Sequence, residues 1–201
     1  MKRERSTPRH QTRCAHCGEL TPNYNMVSCD FGDKVYQSVC GQCFNAEGAR
    51  QDGLTGFQDA KFEPVSLVDS TGKAHKFYFT TRLFGPGIAV DSFELLRGAP
   101  TGYRFQIIGK PDDDLLILLG RLIEKMRRAL AVKHIELGEY GFEIKERQVR
   151  GLIEANLDDE DRMPMLVIDG RPVTWNDFGR MLMQYEGFQF NLKIRDHSDE
   201  F

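Results

Sequence analysis

The chain has 201 residues, 40% hydrophobic and 28% charged, with a formal charge of -3 and a pI near 6.0. That is a globular composition, long enough for one small module plus one ordinary domain. The charge balance gives no overall pull toward nucleic acid or anionic lipid, and no apolar run approaches the roughly 20 residues a membrane-spanning helix needs. The charged opening Met1-Lys-Arg-Glu-Arg has no apolar segment behind it. It therefore predicts no secretory signal, no membrane, a cytoplasmic location and cysteines that stay reduced.

Residues 1–13 read as a disordered basic arm, with Lys2, Arg3, Arg5, Arg9 and Arg13 countered only by Glu4. Such an arm can add affinity for phosphates by counterion release. Two Cys-x-x-Cys pairs follow, Cys14-Ala-His-Cys17 and Cys40-Gly-Gln-Cys43. Each pair grips an ion from a tight turn, and four soft sulfurs in two chelating pairs favour tetrahedral, structural zinc. A redox dithiol would sit beside a βαβ pattern, and none surrounds these cysteines. Between the pairs, Asn25–Cys29 and Lys34–Ser38 are strand-like around an Asp30-Phe-Gly-Asp turn, and residues 44–50 predict a short helix. His16 is expected to face solvent, because four cysteines complete the shell. Cys29 reads as a small buried apolar residue of the hairpin, with a substitute ligand or a redox-sensitive thiol as the alternatives.

Knuckle, hairpin and a second pair opening a helix resemble the treble-clef and zinc-ribbon families over residues 13–50. The resemblance implies a folding unit and leaves the role open, since such modules read nucleic acid, dock proteins or act as staples. Between Cys14 and Arg50 the cations Lys34 and Arg50 face Glu19, Asp30, Asp33 and Glu47, which argues against a phosphate-reading face.

Residues 51–61 read as a linker. Residues 62–196 predict an α+β domain with a mixed, mainly antiparallel sheet and two main helices, and residues 197–201 an acidic tail. A hairpin is expected from Pro64–Asp69 and His75–Thr81, then strands over Ile88–Leu96 and Tyr103–Gly109. Asp112, Asp113 and Asp114 cap a helix whose apolar stripe runs through Leu115, Leu119, Leu122, Met126 and Ala129, widened by Leu118, Ile123 and Leu130. Short strands are expected at Phe142–Lys145 and Met165–Ile168; Val149–Leu157 fits helix or strand, with Gly151 and its β-branched neighbours favouring strand, Asp158–Asp161 is an acidic loop and Asp169-Gly170 a hairpin turn. Thr174-Trp-Asn-Asp177 predicts a capping box opening a helix through Tyr185, with Phe178, Met181, Leu182 and Tyr185 inward and Gly187 as its stop. Phe188, Phe190, Leu192 and Ile194 alternate with polar residues and predict an amphipathic strand with one buried face.

The stretch Met165–Arg195 is similar to the C-terminal part of an uncharacterised bacterial family whose members also carry an N-terminal cysteine module. That resemblance implies bacterial origin and a fold unit, and no activity. No nucleophile elbow, P-loop, dinucleotide fingerprint or His-Glu-x-x-His occurs. His75 and His134 read as surface residues, and Trp175, Tyr185 and Phe188 as core packing. No catalytic residue is assigned. The expectation is a non-enzymatic zinc protein with a protein partner or self-association. A nucleic-acid-associated regulator using the basic arm is the alternative, and an enzyme with a dispersed site the third class.

Overall fold

The computed structural model describes residues 10–30, 36–55, 57, 59–139, 141–156 and 162–199. Lys2, Arg3, Arg5 and Arg9, most of the first hairpin turn and the Asp158–Asp161 loop lie outside the described residues. Every ladder among the described residues is antiparallel.

Two small ladders come first. β1 (Gln11–Arg13) pairs with β2 (Leu20–Pro22), and β3 (Met26–Cys29) pairs with β4 (Gln37–Cys40), setting Met26 opposite Cys40. Residues 11–13 are thus strand, because the knuckle at Cys14–Cys17 turns the chain back on itself. α1 (Gly41–Gln51) follows at once and begins three residues earlier than expected.

Alternation then builds the main sheet. β5 (Val65–Val68), β6 (Ala74–Phe84), β7 (Gly87–Leu96) and β8 (Ala99–Gly109) lie side by side in that order. With a period of two, Phe77, Phe79, Leu83, Ile88, Val90, Phe105 and Ile107 gather on one face. α2 (Leu115–Leu130) crosses it, burying Leu118, Leu122, Met126 and Leu130 completely. Each such side chain adds roughly 1.5–3 kcal/mol on burial, so this layer is the main apolar core. The Asp114 carboxylate accepts the Leu116 N–H at 2.7 Å and Asp113 accepts that of Lys110 at 2.8 Å, so the aspartates act as a cap.

The segment read as a linker is packed: Leu54, Phe57 and Ala60 lie against the core. β5 pairs only with residues 74–77, so among the described residues the following stretch of β6 has no strand on that side. Asn45 of α1, completely buried, caps this edge. Its amide donates to the Thr81 carbonyl at 3.2 Å and to Asp59 at 2.8 Å, and its carbonyl accepts the Leu83 N–H at 2.9 Å. Replacing Asn45 by Ala should cost about 1–3 kcal/mol for the buried groups it strands. Equilibrium urea unfolding reads this, and an unchanged midpoint would contradict the edge-capping role.

The second half is smaller. β9 (Ile135–Gly138) and β10 (Gly141–Ile144) form a hairpin, while β11 (Gly151–Ala155), β12 (Pro164–Ile168) and β13 (Arg171–Thr174) form a three-stranded sheet. Asp169 and Gly170 carry φ of 51° and 72°, the positive values a two-residue hairpin turn demands. α3 (Trp175–Leu182) closes this core of Ile135, Ile168, Val173 and Met181. The Thr174 hydroxyl accepts the Asp177 N–H at 3.1 Å, as the capping box requires. A 3-10 turn spans Met183–Tyr185, and Gly187, at φ 85°, ends the helical run.

Several expectations are corrected here. Residues 188–195 pair with nothing described and are exposed on both faces; an alternating pattern supplies strand propensity but no partner edge. Leu182 and Trp175 are 44% and 43% exposed, because α3 has only two turns and offers little inward face. Phe188, also read as core, is exposed, and Tyr185 is only partly buried. His75 and His134 are buried, not surface residues, because Asp69 and Glu94 hold both ring nitrogens of His75 and the Gln148 carbonyl meets Nδ1 of His134.

Candidate metal centre

The four cysteines of the paired motifs converge. Cys14 follows β1, Cys17 ends the knuckle, Cys40 closes β4 and Cys43 sits in the first turn of α1. Their sulfurs all lie within 4.8 Å of one another, with Cys17 Sγ and Cys40 Sγ 3.9 Å apart. A tetrahedron with metal–sulfur bonds of about 2.3 Å has edges of about 3.8 Å, so the set fits one tetrahedral ion. A disulfide needs about 2.05 Å between sulfurs, and all four cysteines are free thiols.

Local backbone builds the cradle. The knuckle is closed by Gly18 N–H on the Cys14 carbonyl at 3.0 Å and Cys14 N–H on the Glu19 carbonyl at 2.9 Å, and Ala15 is tied to Ser38 of β4 at 3.0 Å. Gly18 takes φ 76° to make that turn. N–H groups of Cys40 and Cys17 point at Cys14 Sγ, at 3.2 and 3.5 Å. Burial opposes ionisation of Cys14, but the N–H groups of Cys17, Cys40 and His16 outweigh it and bring the thiol down to about 6. Burial and the neighbouring thiols push Cys43 well above the ordinary range, and burial also raises Cys40. Four sulfurs this close repel one another as thiolates, so full ionisation of the set needs a cation among them, and the cluster could hold a metal ion.

His16 is exposed, and Cys29, half-buried opposite Gln37, stands outside the cluster. Burial and the Asp30 charge raise its thiol. Of the basic-arm residues, only Arg13 is described; it lies in β1 and donates to the Gly18 carbonyl at 2.6 Å. The centre is bolted to the main sheet. Tyr24 packs on Tyr78 and Phe93, with ring centroids 5.7 and 5.4 Å away, and Arg82 donates to the Asn25 side chain at 2.9 Å. A Cβ on Gly41 would press on the Arg82 guanidinium and the Asn25 amide, so any larger residue at the start of α1 would have to displace that Arg82–Asn25 contact.

A second polar cluster escaped sequence reading. Buried His75 faces Asp69 at 3.0 Å through Nε2 and Glu94 at 2.9 Å through Nδ1. Lys133 Nζ lies 2.7 Å from Asp69 and donates to the Tyr103 hydroxyl at 2.8 Å. An irregularity between Phe93 and Glu94 lets the Glu94 carboxylate accept the Tyr103 N–H at 2.9 Å. Burial opposes the charge on Asp69, but Lys133, Thr71 and His75 hold its carboxyl far below the usual range. The Asp69 and His75 side chains are 1% and 4% exposed while Lys133 and Glu94 keep 17% and 22%, so the cluster reaches from the core to the surface and ties these elements together as a clamp. Adjacent to it, Asp169 accepts the N–H groups of His134 and Ile135 at 2.7 and 2.9 Å, fastening the second half of the chain.

On the sheet face opposite α2, a cavity of about 330 Å³ is lined by Thr80, Asp91, Phe93, Arg104, Leu152 and His197. Burial raises the Asp91 carboxyl and lowers the His197 imidazole. Asp91 is held by Gln106 at 2.8 Å and Arg104 is paired with Glu154. Among the described residues no hydrogen bond joins a nucleophile to a base there.

Residues 58–131 match a family described as "Domain of unknown function (DUF7686)", and residues 134–199 match one described as "Domain of unknown function (DUF7713)". Both matches leave out the cysteine cluster, and the clamp at Asp69, Lys133 and Asp169 sits where they meet. No curated protein and no solved structure matches the chain. No helix among the described residues is long and apolar enough to cross a membrane.

Proposed function

We propose that the chain is a zinc-binding interaction or accessory protein. Cys14, Cys17, Cys40 and Cys43 hold one structural Zn2+, and the α+β part docks a partner protein or a second copy. The observation that carries this reading is the convergence of the four sulfurs, all within 4.8 Å of one another. A shell with all four positions taken by thiolate leaves no open position for a water or substrate, the mark of a structural centre. When bound, the ion supplies cross-linking of β1, β4 and α1 and neutralises thiolate charge. The chain's own part is to aim N–H groups at Cys14 and to tie the module to the sheet through Tyr24, Asn25 and Arg82.

Elemental analysis and affinity capture with the full chain test this. The expected result is one zinc per chain together with a stoichiometric protein partner or a stable oligomer. Nucleic-acid binding that falls steeply with salt, and weakens when residues 1–13 are deleted, would instead support a regulator built on the basic arm. Metal-free protein that folds normally would contradict the zinc reading.

A further inference from the structure

The segment from Phe188 to Arg195 is held outward at both ends. At its start, Phe188 N–H donates to the Tyr185 carbonyl at 2.9 Å, its ring meets that of Tyr185 edge-on at 5.8 Å, and Arg147 lies 5.3 Å over it. Beyond its end, the His197 carbonyl accepts from the buried Lys125 Nζ at 2.7 Å. Between these anchors no hydrogen bond among the described residues reaches the backbone of residues 189–195. Phe188, Phe190, Leu192 and Ile194 are nonetheless 58%, 90%, 73% and 70% exposed. A run of N–H and C=O groups with no partner among the described residues, carrying an apolar side chain at every second position, has the sequence pattern of a strand without its neighbour.

We propose that this segment pairs antiparallel with the same segment of a second copy, making a twofold-symmetric dimer. The inference rests on the self-association branch of the proposed function. Register singles out this occupant. Centred on Asn191, antiparallel pairing sets Phe190 across from Leu192, Phe188 across from Ile194 and Lys193 across from Gln189. Aromatic and branched side chains then meet on one face, and no like charges oppose. Parallel in-register pairing would set Lys193 on Lys193 and Arg195 on Arg195, which is unfavourable. Area agrees as well. Trp175, Leu182 and Met183, just upstream, are 43%, 44% and 65% exposed. If the second copy covers these three together with the four alternating residues, on the order of 800 Å² is buried per partner, about one partner's share of a standard interface. A twofold axis lets the same patch cover itself.

The test is light scattering after size exclusion on the full, zinc-loaded chain. A dimer is expected for the unmodified protein and a monomer for Phe190→Lys with Leu192→Lys, with zinc content and the circular dichroism spectrum unchanged in that variant and the concentration dependence of its Tm lost. In a Cys29→Ser background, mixing Gln189→Cys chains with Lys193→Cys chains should give an interchain disulfide that neither yields alone. A monomer at all concentrations, a dimer indifferent to the lysines, or cross-linking of either chain with itself would overturn the proposal. A monomer that captures another protein through this segment would overturn it too, while leaving the interaction reading standing. Loss of zinc with the dimer intact would overturn the zinc reading alone.

Discussion

Replacing Cys40 by Ser should empty the metal centre and unfold residues 11–51 locally while the sheet and α2 persist. Cys40 is 4% exposed, its N–H points at Cys14 Sγ, and its strand sets the start of α1. Apparent metal affinities of structural zinc modules are on the order of 10–16 kcal/mol, well above what the small cluster of Val39, Met26, Val27 and Phe44 could replace. Hydrogen exchange reads the effect: protection should vanish across α1, β3 and β4 and survive across β6, β7 and α2. Unchanged protection in the module would show that packing on Tyr78 and Arg82 holds it without metal. Cys29→Ser, outside the cluster, should leave both metal and protection intact.

Replacing Asp69 by Asn should be the most destabilising single change in the main domain, by about 3–5 kcal/mol. It leaves Lys133 and His75 facing a neutral group inside the protein. For a chain of this size that corresponds to a fall in Tm of roughly 6–20 °C. The pH dependence has a definite sign. The folded Asp69 carboxyl lies below its ordinary value of 3.8, so its contribution is fully present above that value and is withdrawn as the pH falls beneath it. The gap between parent and variant should therefore be widest near neutrality and narrow below about pH 4. A gap independent of pH would show that the carboxylate's charge plays no part.

What was legible in the chain was what local chemistry decides. Paired cysteines at chelating spacing, the aspartates before Leu115, the Asp169-Gly170 turn and the Thr174 cap each act through neighbours a few residues away. Strand alternation located β6, β7 and β8 for the same reason. The clamp of Asp69, His75, Glu94, Tyr103 and Lys133 was not legible, because sheet register brings together residues up to 64 positions apart. Its only local trace was Asp69 ahead of Ser-Thr-Gly, where its carboxylate accepts from Thr71 and Lys73. Asn45 gave no sign of its edge-capping role, since nothing nearby in sequence marks where β5 stops pairing. Residues 188–195 failed in the opposite sense: the pattern was read correctly as apolar alternation, but burial is decided by whether an edge is within reach.

The most direct test of the account is X-ray absorption at the zinc edge on the intact chain. One zinc per chain with four sulfur neighbours at about 2.3 Å is the expected result. A first shell containing nitrogen or oxygen, or protein that folds with no stoichiometric metal, would contradict it.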